Sequence, residues 1–436
     1  MFDKIRKSYS SLPAMMKSRK QALLSRAAVM LSAPALLAHA LFMPAVLRAE
    51  ENGSTRSMSG LVDGVMDETD KGKKQEYFKK LRTMPANEVA EYWLNRLDGT
   101  YRTAEKVRII DEMSEYADKR FVLPLANYLV NPHQALRKAA ARSLKKIGDD
   151  RLYPVILKMV TSETPVHRIY FIEAMNYLYD QRFYPLLAGL MRDENKSIRI
   201  YVINCMKENR IAESLGVIRG SALSDRNDEV RIAAIEAIGS LRDGNGLSVL
   251  HVTLNDRNRD VRCESARSIR LIGSLASVNP LSYRLLPEDD NEIKDIMLET
   301  LSVLRRVGDV RGLEKILTTD GNLSLRIKAG HVLSYSGSLQ GQAALQQGLR
   351  DKDYRVRAEV CNSLGYYRNR QALASLFEIL AAENNFYIKT AALNSVRRIN
   401  DKSSLMGIFD LYTVERDPLF KELLRDAVRE YIKRFI

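Results

Sequence analysis

From residue 101 onward, apolar and polar positions return on a single register. Its origin is a basic residue that recurs at Lys106, Arg137, Arg168, Arg199, Arg231, Arg262, Lys294, Arg326, Arg357, Lys389 and Lys421, always 31 or 32 residues apart. Seven residues after each origin stands an apolar side chain, from Met113 and Leu144 to Val396 and Val428. Three residues after it the position is apolar or small, and five residues after it the position is always polar. Apolar at +3 and +7 with polar at +5 follows the 3.6-residue period of a helix and excludes strand alternation.

A second apolar stretch separates these helices in each unit, as in 152–160 (LYPVILKMV) and 373–380 (LASLFEIL). Each unit is therefore predicted to be a pair of antiparallel helices, and neither helix can bury its apolar face alone. The expected fold is all-α, a right-handed α-solenoid (an armadillo-like superhelix) of eleven units over residues 101–436. The +6 position is mostly small (Ser143, Ala174, Cys205, Ala237, Ser268, Ser363, Ser395), which lets neighbouring helices approach closely. Gly148, Gly273, Gly337 and Asn400 follow the helix where a left-handed C-terminal cap is expected.

An acid stands six residues before the base in the later units: Asp193, Asp225, Asp256, Glu288, Asp320, Asp351, Glu383 and Glu415. That position lies in the turn between the two helices, near the N-terminus of the second, where a carboxylate meets orphan N–H groups and the positive end of the helix dipole. With Arg199, Arg231, Arg262, Arg326 and Arg357, the acids Asp193, Asp225, Asp256, Asp320 and Asp351 are predicted to form a ladder of ion pairs across stacked units. Lysine at origins 106, 294, 389 and 421 does not offer the bidentate fork of arginine.

Runs such as DRNDEVRIAAIEAIGSL (225–241), DRNRDVRCESARSIRLIG (256–273) and DKDYRVRAEVCNSLGYY (351–367) resemble the HEAT-repeat family in its short form, also met in bilin-lyase-like proteins. The resemblance covers residues 101–436. It implies that the second helix of each unit lines the concave side and that the acid–base pair is structural. It also implies an alternative activity, a lyase or chaperone for a bilin-type ligand.

Ahead of the array, residues 1–49 hold eight bases and one acid, so half of the net charge of +14 sits there. Residues 27–47 carry no Asp, Glu, Lys or Arg and are rich in Ala and Leu. A basic stretch followed by an apolar one and small residues is the pattern of an export signal, with cleavage expected after Ala49. The same 21 residues are long enough to serve as an uncleaved membrane tether. Residues 50–74, rich in Gly, Ser and charge, are expected to be a flexible linker. Residues 75–100 are expected to be a capping helix region, with Val89, Trp93 and Leu97 on one face and Trp93 plugging the open end of the first repeat.

With the leader set aside, the body's 60 bases and 53 acids do not suggest nucleic acid as a partner. Its histidines are scattered over separate units, no Cys-x-x-Cys occurs, and no phosphate loop or nucleophile elbow is present. Cys205, Cys263 and Cys361 lie two and three units apart and are expected unpaired and buried. No catalytic, cofactor or metal residues are assigned. Tyr153 and Tyr184 occupy matching R-L-Y-P and R-F-Y-P positions, open to either core packing or partner contact. For partner contact the candidates are Tyr170, Tyr177, Tyr179 and Tyr201, with the +5 residues Arg142, Glu173, Asn204, Glu236 and Arg267. The chain is expected to be a non-catalytic protein-binding scaffold of the periplasm or cell envelope, its partners unidentified. The lyase or chaperone, and a cytosolic nucleic-acid binder, are the alternatives.

Overall fold

A computed structural model describes residues 53–435 apart from 367 and 369. The leader at 1–49, with its cleavage and tether alternatives, lies outside the described residues. Twenty-four α-helices and no strands occur among the described residues. They form two compact units, one ending at Leu152 and the other starting at Tyr153.

In the first unit, residues 53–67 correct the flexible linker expected for 50–74. Gly53–Asp67 is a helix, and a second, Lys71–Leu81, begins within the same stretch. Met58, Val62, Val65 and Met66 are buried, and with Leu61 they form a stripe at helical spacing that the surrounding Gly, Ser and charge obscure. The Asp70 carboxylate accepts from the Lys73 N–H at 2.9 Å and starts the second helix. This hairpin packs on the helix Thr103–Tyr116. Arg108 donates to the Met66 carbonyl, Lys74 pairs with Glu112 at 2.6 Å, and Arg96 pairs with Asp63 at 2.6 Å. Trp93 is fully buried within the helix Ala86–Gly99. It is not an end plug, because residues 53–81 extend the packing ahead of it.

The second unit stacks helical hairpins. Its first helices run from Leu152–Val160 and Tyr184–Leu190 to Ser404–Val414, and several are opened by a single 3₁₀ turn such as Gln181–Phe183 or Gly244–Gly246. Its second helices include Pro165–Leu178, Lys196–Glu208, Asp228–Ser240, Arg259–Ile272, Asn291–Leu304, Leu323–Leu333, Tyr354–Tyr366, Phe386–Ile399 and Pro418–Phe435. The +3 residues (Val202, Ala234, Met297, Ala329, Val360, Ala392) are fully buried, as are the +7 residues (Met206, Ile238, Ile269, Leu301, Leu333, Leu364, Val396). Together they form the continuous core expected of stacked units.

Each second helix starts at a cap four residues before the base. Asn195, Asn258, Asn322 and Asn385 accept N–H bonds from the first helical turn, for example Asn195 Oδ1 from Ser197 at 2.9 Å. The acid at −6 therefore stands two residues outside the cap and does not itself cap the helix.

Second helices pack on one another more closely than first helices do. The +6 column explains the approach. Ser268 donates to the Ile235 carbonyl at 2.9 Å, Ser363 to Gly330 at 3.0 Å, and Ser395 to Cys361 at 2.7 Å. Each acceptor is the +4 carbonyl of the preceding unit, and Ser143 makes the same bond to Ile110 at 3.1 Å in the first unit. Gly239 and Gly365 sit opposite these serines, where a Cβ would lie 2.4 Å from Ser268 Oγ and 2.5 Å from Ser395 Cβ. At +4 the side chains are apolar or small in every unit until Arg425, which pairs with Glu422 at 3.1 Å. That substitution turns the outer face of the helix Pro418–Phe435 polar.

Candidate functional site

The ladder is built from both ends of each unit. Arg199 reaches forward: its Nε and Nη2 each lie 2.8 Å from the Asp225 carboxylate. Its Nη1 reaches back to the Asp193 carbonyl at 2.7 Å. Asp225 in turn accepts from the Asn227 N–H at 2.9 Å, closing the turn before the next helix. The same scheme joins Arg168 to Asp193 at 2.7 Å, Arg231 to Asp256 at 3.0 Å, Arg262 to Glu288 at 3.1 Å, Arg326 to Asp351 at 2.8 Å and Arg357 to Glu383 at 2.7 Å. Lys294 makes one bond to Asp320 at 2.7 Å, and Lys389 pairs with Glu415. Each acid thus pairs with the base of the preceding unit, and where its own unit's base is arginine, that base takes its backbone carbonyl.

The pairs are shielded from water, with side chains 4% and 9% exposed for Arg199 and Asp225. Burial alone would raise the Asp225 carboxyl. The Arg199 guanidinium and the Asn227 N–H outweigh it and hold the group below its ordinary value. Glu288, Asp320 and Glu415 are likewise pushed up by burial but held lower by Arg262, Lys294 and Lys389. Salt bridges in this setting contribute geometry as well as energy, fixing how one hairpin seats on the next.

The candidate partner residues are not gathered into one site. Tyr201 is exposed, while Tyr170, Tyr177 and Tyr179 are half-buried. Of the +5 residues, Arg142 pairs with Asp111 at 3.3 Å, Glu236 with Lys207 at 2.8 Å and Arg267 with Glu292 at 2.5 Å. Glu173 and Asn204 are half-buried on the same face of their helices. The +5 column is therefore an ion-paired surface that links units. Tyr153 and Tyr184 are not core residues. Tyr153 stacks on Phe183 with ring centres 5.8 Å apart, and the Tyr184 hydroxyl donates to the Glu213 carbonyl at 2.9 Å.

One concavity on this face is mainly apolar, a site of about 470 Å³ between the helices Asn291–Leu304 and Leu323–Leu333. Leu298, Val303 and Ile327 line it, with Glu299, Lys328 and His331 at the rim. His331 sits between Glu359 at 3.0 Å and the Tyr335 hydroxyl at 3.1 Å. The three cysteines are free and buried, and burial pushes the Cys205 and Cys361 thiols up to about 12. Among the described residues, no group of His, Cys, Asp or Glu is placed to hold a metal ion.

Two features of the second unit escape the register as first read. One is the Asn/Asp cap column at −4, visible in the sequence as an acid followed two residues later by Asn or Asp. The other is that the left-handed cap expected at Gly273, Gly337 and Asn400 is also made by arginine at the same +11 position, at Arg210, Arg242, Arg305 and Arg368.

A family model described as HEAT repeats matches residues 218–302 and 310–397. No curated protein matches the chain in sequence. Among solved structures, a triple mutant of Kap121p aligns with a TM-score of 0.50 at 12% identity, covering 86% of this chain and 48% of its own. A multiple mutant of Kap121p gives 0.50 at 11% identity, covering 87% and 49%. This chain thus spans about half the length of Kap121p, and the likeness is one of fold alone. Human deoxyhypusine hydroxylase in complex with glycerol aligns over 57% of this chain and 96% of its own at 18% identity, with a TM-score of 0.26 that is too low to support an argument. The match identifies residues 218–302 and 310–397 as HEAT repeats, and the hairpin pairs and the inter-repeat ladder around them are those of an α-solenoid.

Proposed function

We propose that this chain is a non-catalytic protein-binding scaffold, exported to the periplasm or cell envelope. The observation that carries the scaffold reading is the disposition of charge in the second unit. The buried acids and bases are committed to seating one hairpin on the next, from Arg168–Asp193 to Lys389–Glu415. What differs from unit to unit is the exposed face of the second helices, and a repeat array discriminates between partners through such a face. The export reading is supported by the basic and apolar order of residues 1–49. Among the described residues no helix is long and apolar enough to cross a membrane.

The test is crosslinking in living cells of the full-length tagged protein, with mass spectrometry of captured partners and of the mature N-terminus. The expected result is a discrete protein partner and an N-terminus at Glu50 outside the cytoplasmic membrane. An intact leader on soluble cytoplasmic protein refutes export. A retained small molecule with no protein partner refutes the scaffold.

A further inference from the structure

Six residues other than glycine have positive φ among the described residues, and four of them are arginines of one repeat column: Arg210 (φ 49°), Arg242 (52°), Arg305 (51°) and Arg368 (50°). Each closes a second helix, its N–H reaching a carbonyl three residues back, as Arg242 does to Gly239 at 3.0 Å. For Arg210 and Arg242 the next residue completes a Schellman motif, Ile211 N–H to Met206 O and Asp243 N–H to Ile238 O, both 3.0 Å. The backbone does not require arginine there, since Gly273, Gly337 and Asn400 fill the same column without the steric cost a β-carbon adds. The helix dipole does not require it either, because a base in the last helical turn meets the same carbonyls from an unstrained position.

All four arginines are exposed, as is Arg306, and none has a carboxylate partner among the described residues. The acids of the same loops are otherwise engaged. Asp243 is buried beside Arg219 at 3.4 Å, Asp309 is held by Arg311, and Glu213 accepts from Gln181 at 2.8 Å. At the two glycines of this column in the second unit, Gly273 and Gly337, the residue two positions on is an exposed leucine, Leu275 at 61% and Leu339 at 74%. From Arg242 onward the edge alternates from unit to unit: Arg242, Leu275, Arg305, Leu339, Arg368, with Arg210 one unit ahead of Arg242. Two residues before the caps at Gly273, Arg305, Gly337 and Arg368 runs a parallel row of Leu271, Val303, Tyr335 and Tyr366, with Val303 77% exposed.

We propose that this edge of the second unit binds an extended segment of a protein partner in which acidic and apolar residues alternate. The proposal rests on the scaffold reading above and names the surface and the chemistry of the partner. Adjacent packed helices stand about 8–10 Å apart, so arginines two units apart are separated by roughly 16–20 Å. An extended or polyproline-II chain at about 3.1–3.3 Å per residue covers that in about six residues, placing an acid at Arg242, Arg305 and Arg368 and an apolar residue midway, at each leucine. Charge complementarity requires an anionic ligand, and the interleaved leucines and the adjacent apolar row favour a polypeptide over a nucleic acid or a lipid headgroup.

The test uses the full chain and a fluorescent peptide of three Glu-Pro-Ser-Leu-Pro-Ser repeats, read by anisotropy at low and physiological salt. The wild type should bind it, and the variant carrying Arg210→Gly, Arg242→Gly, Arg305→Gly and Arg368→Gly should lose affinity by about tenfold or more. The variant's thermal midpoint should hold or rise, since glycine relieves the positive φ, so the loss cannot be assigned to unfolding. Val303→Asp should weaken binding independently. The proposal is overturned if the wild type fails to bind, if the variant binds equally, or if the peptide with Lys for Glu binds as well. It is also overturned if oligothymidylate or phosphatidylserine vesicles bind at the arginines in preference to the peptide. Crosslinking in cells separates this result from the parent reading: a partner retained by the four-arginine variant leaves the scaffold intact and removes the edge, whereas no partner for the wild type removes both.

Discussion

Asp225→Ala is the sharpest probe of what the ladder contributes. The substitution removes two bonds to Arg199, both 2.8 Å, and the acceptor of the Asn227 N–H at 2.9 Å. It strands a guanidinium whose side chain is 4% exposed. Breaking a buried pair from one side costs about 3–5 kcal/mol. Arg199 keeps the Asp193 carbonyl at 2.7 Å and the Asn227 side chain at 2.8 Å, which places the expected loss near the lower end, about 3 kcal/mol. In a repeat array this loss belongs to the interface between two neighbouring units and not to the whole chain. Hydrogen exchange by mass spectrometry should therefore show amides of 196–240 exchanging about a hundredfold faster, while those of 386–399 are unchanged. Replacing both partners, Arg199→Met with Asp225→Leu, should recover most of the loss, because neither charge is then buried alone. Glu229→Ala, which breaks an exposed pair with Lys196 at 2.7 Å, serves as the control and should change nothing measurable. If Asp225→Ala behaves like the control, or if exchange rises evenly along the array, the ladder does not seat the hairpins.

Further outcomes follow from the same geometry. Asp225, Glu288, Asp320 and Glu415 all titrate below their ordinary range, so their stabilisation is complete above about pH 4–5 and is lost as pH falls through the folded values. Urea midpoints should accordingly be flat from neutral pH down to about 5 and drop steeply below about 4. Gly239→Ala drives a Cβ to 2.8 Å from the Ser268 Cα, and backbone cannot swing aside, so a destabilisation of about 1–3 kcal/mol is expected in denaturant melts. Gly220→Ala, with nothing within 4 Å, should be neutral or stabilising by up to about 1 kcal/mol. Cys205 and Cys361, with thiols pushed up to about 12, should resist a thiol reagent at pH 8 in the native protein and react once it is denatured.

The second helices could be read from the sequence almost in full, because their +3 and +7 positions face one core and recur with every unit. The ladder was legible for the same reason: an acid and a base on a fixed register meet wherever units stack. Its direction was not. Whether Asp225 pairs with Arg231 of its own unit or Arg199 of the preceding one depends on which backbone carbonyl occupies the nearer guanidinium, and Arg231 Nη1 takes the Asp225 carbonyl at 3.1 Å. The helix Gly53–Asp67 was missed on composition. Four buried side chains, Met58, Val62, Val65 and Met66, outweigh the glycines and serines around them, and averaging over the segment hides a stripe that spacing alone reveals.

Surface function is a different problem, because stacking constrains the inward columns and leaves the outward ones free. Apart from the exposed Tyr201, the tyrosines and +5 residues singled out by residue type are half-buried or tied into ion pairs, as Arg142 and Glu236 are. Residue type on a free column says little about binding. A residue that violates a preference the fold imposes says more. At +11 the backbone adopts a conformation suited to glycine, and glycine or asparagine meets it at Gly273, Gly337 and Asn400. Arginine at Arg210, Arg242, Arg305 and Arg368 accepts a local cost that neither the cap nor the core returns. In a repeat array every unit serves as a control for its neighbours, so such a departure is measured against the same position in the same chain. The column was in view from the start as a helix cap. It becomes evidence of a site only when its exceptions prove to be charged, exposed and without a carboxylate partner among the described residues.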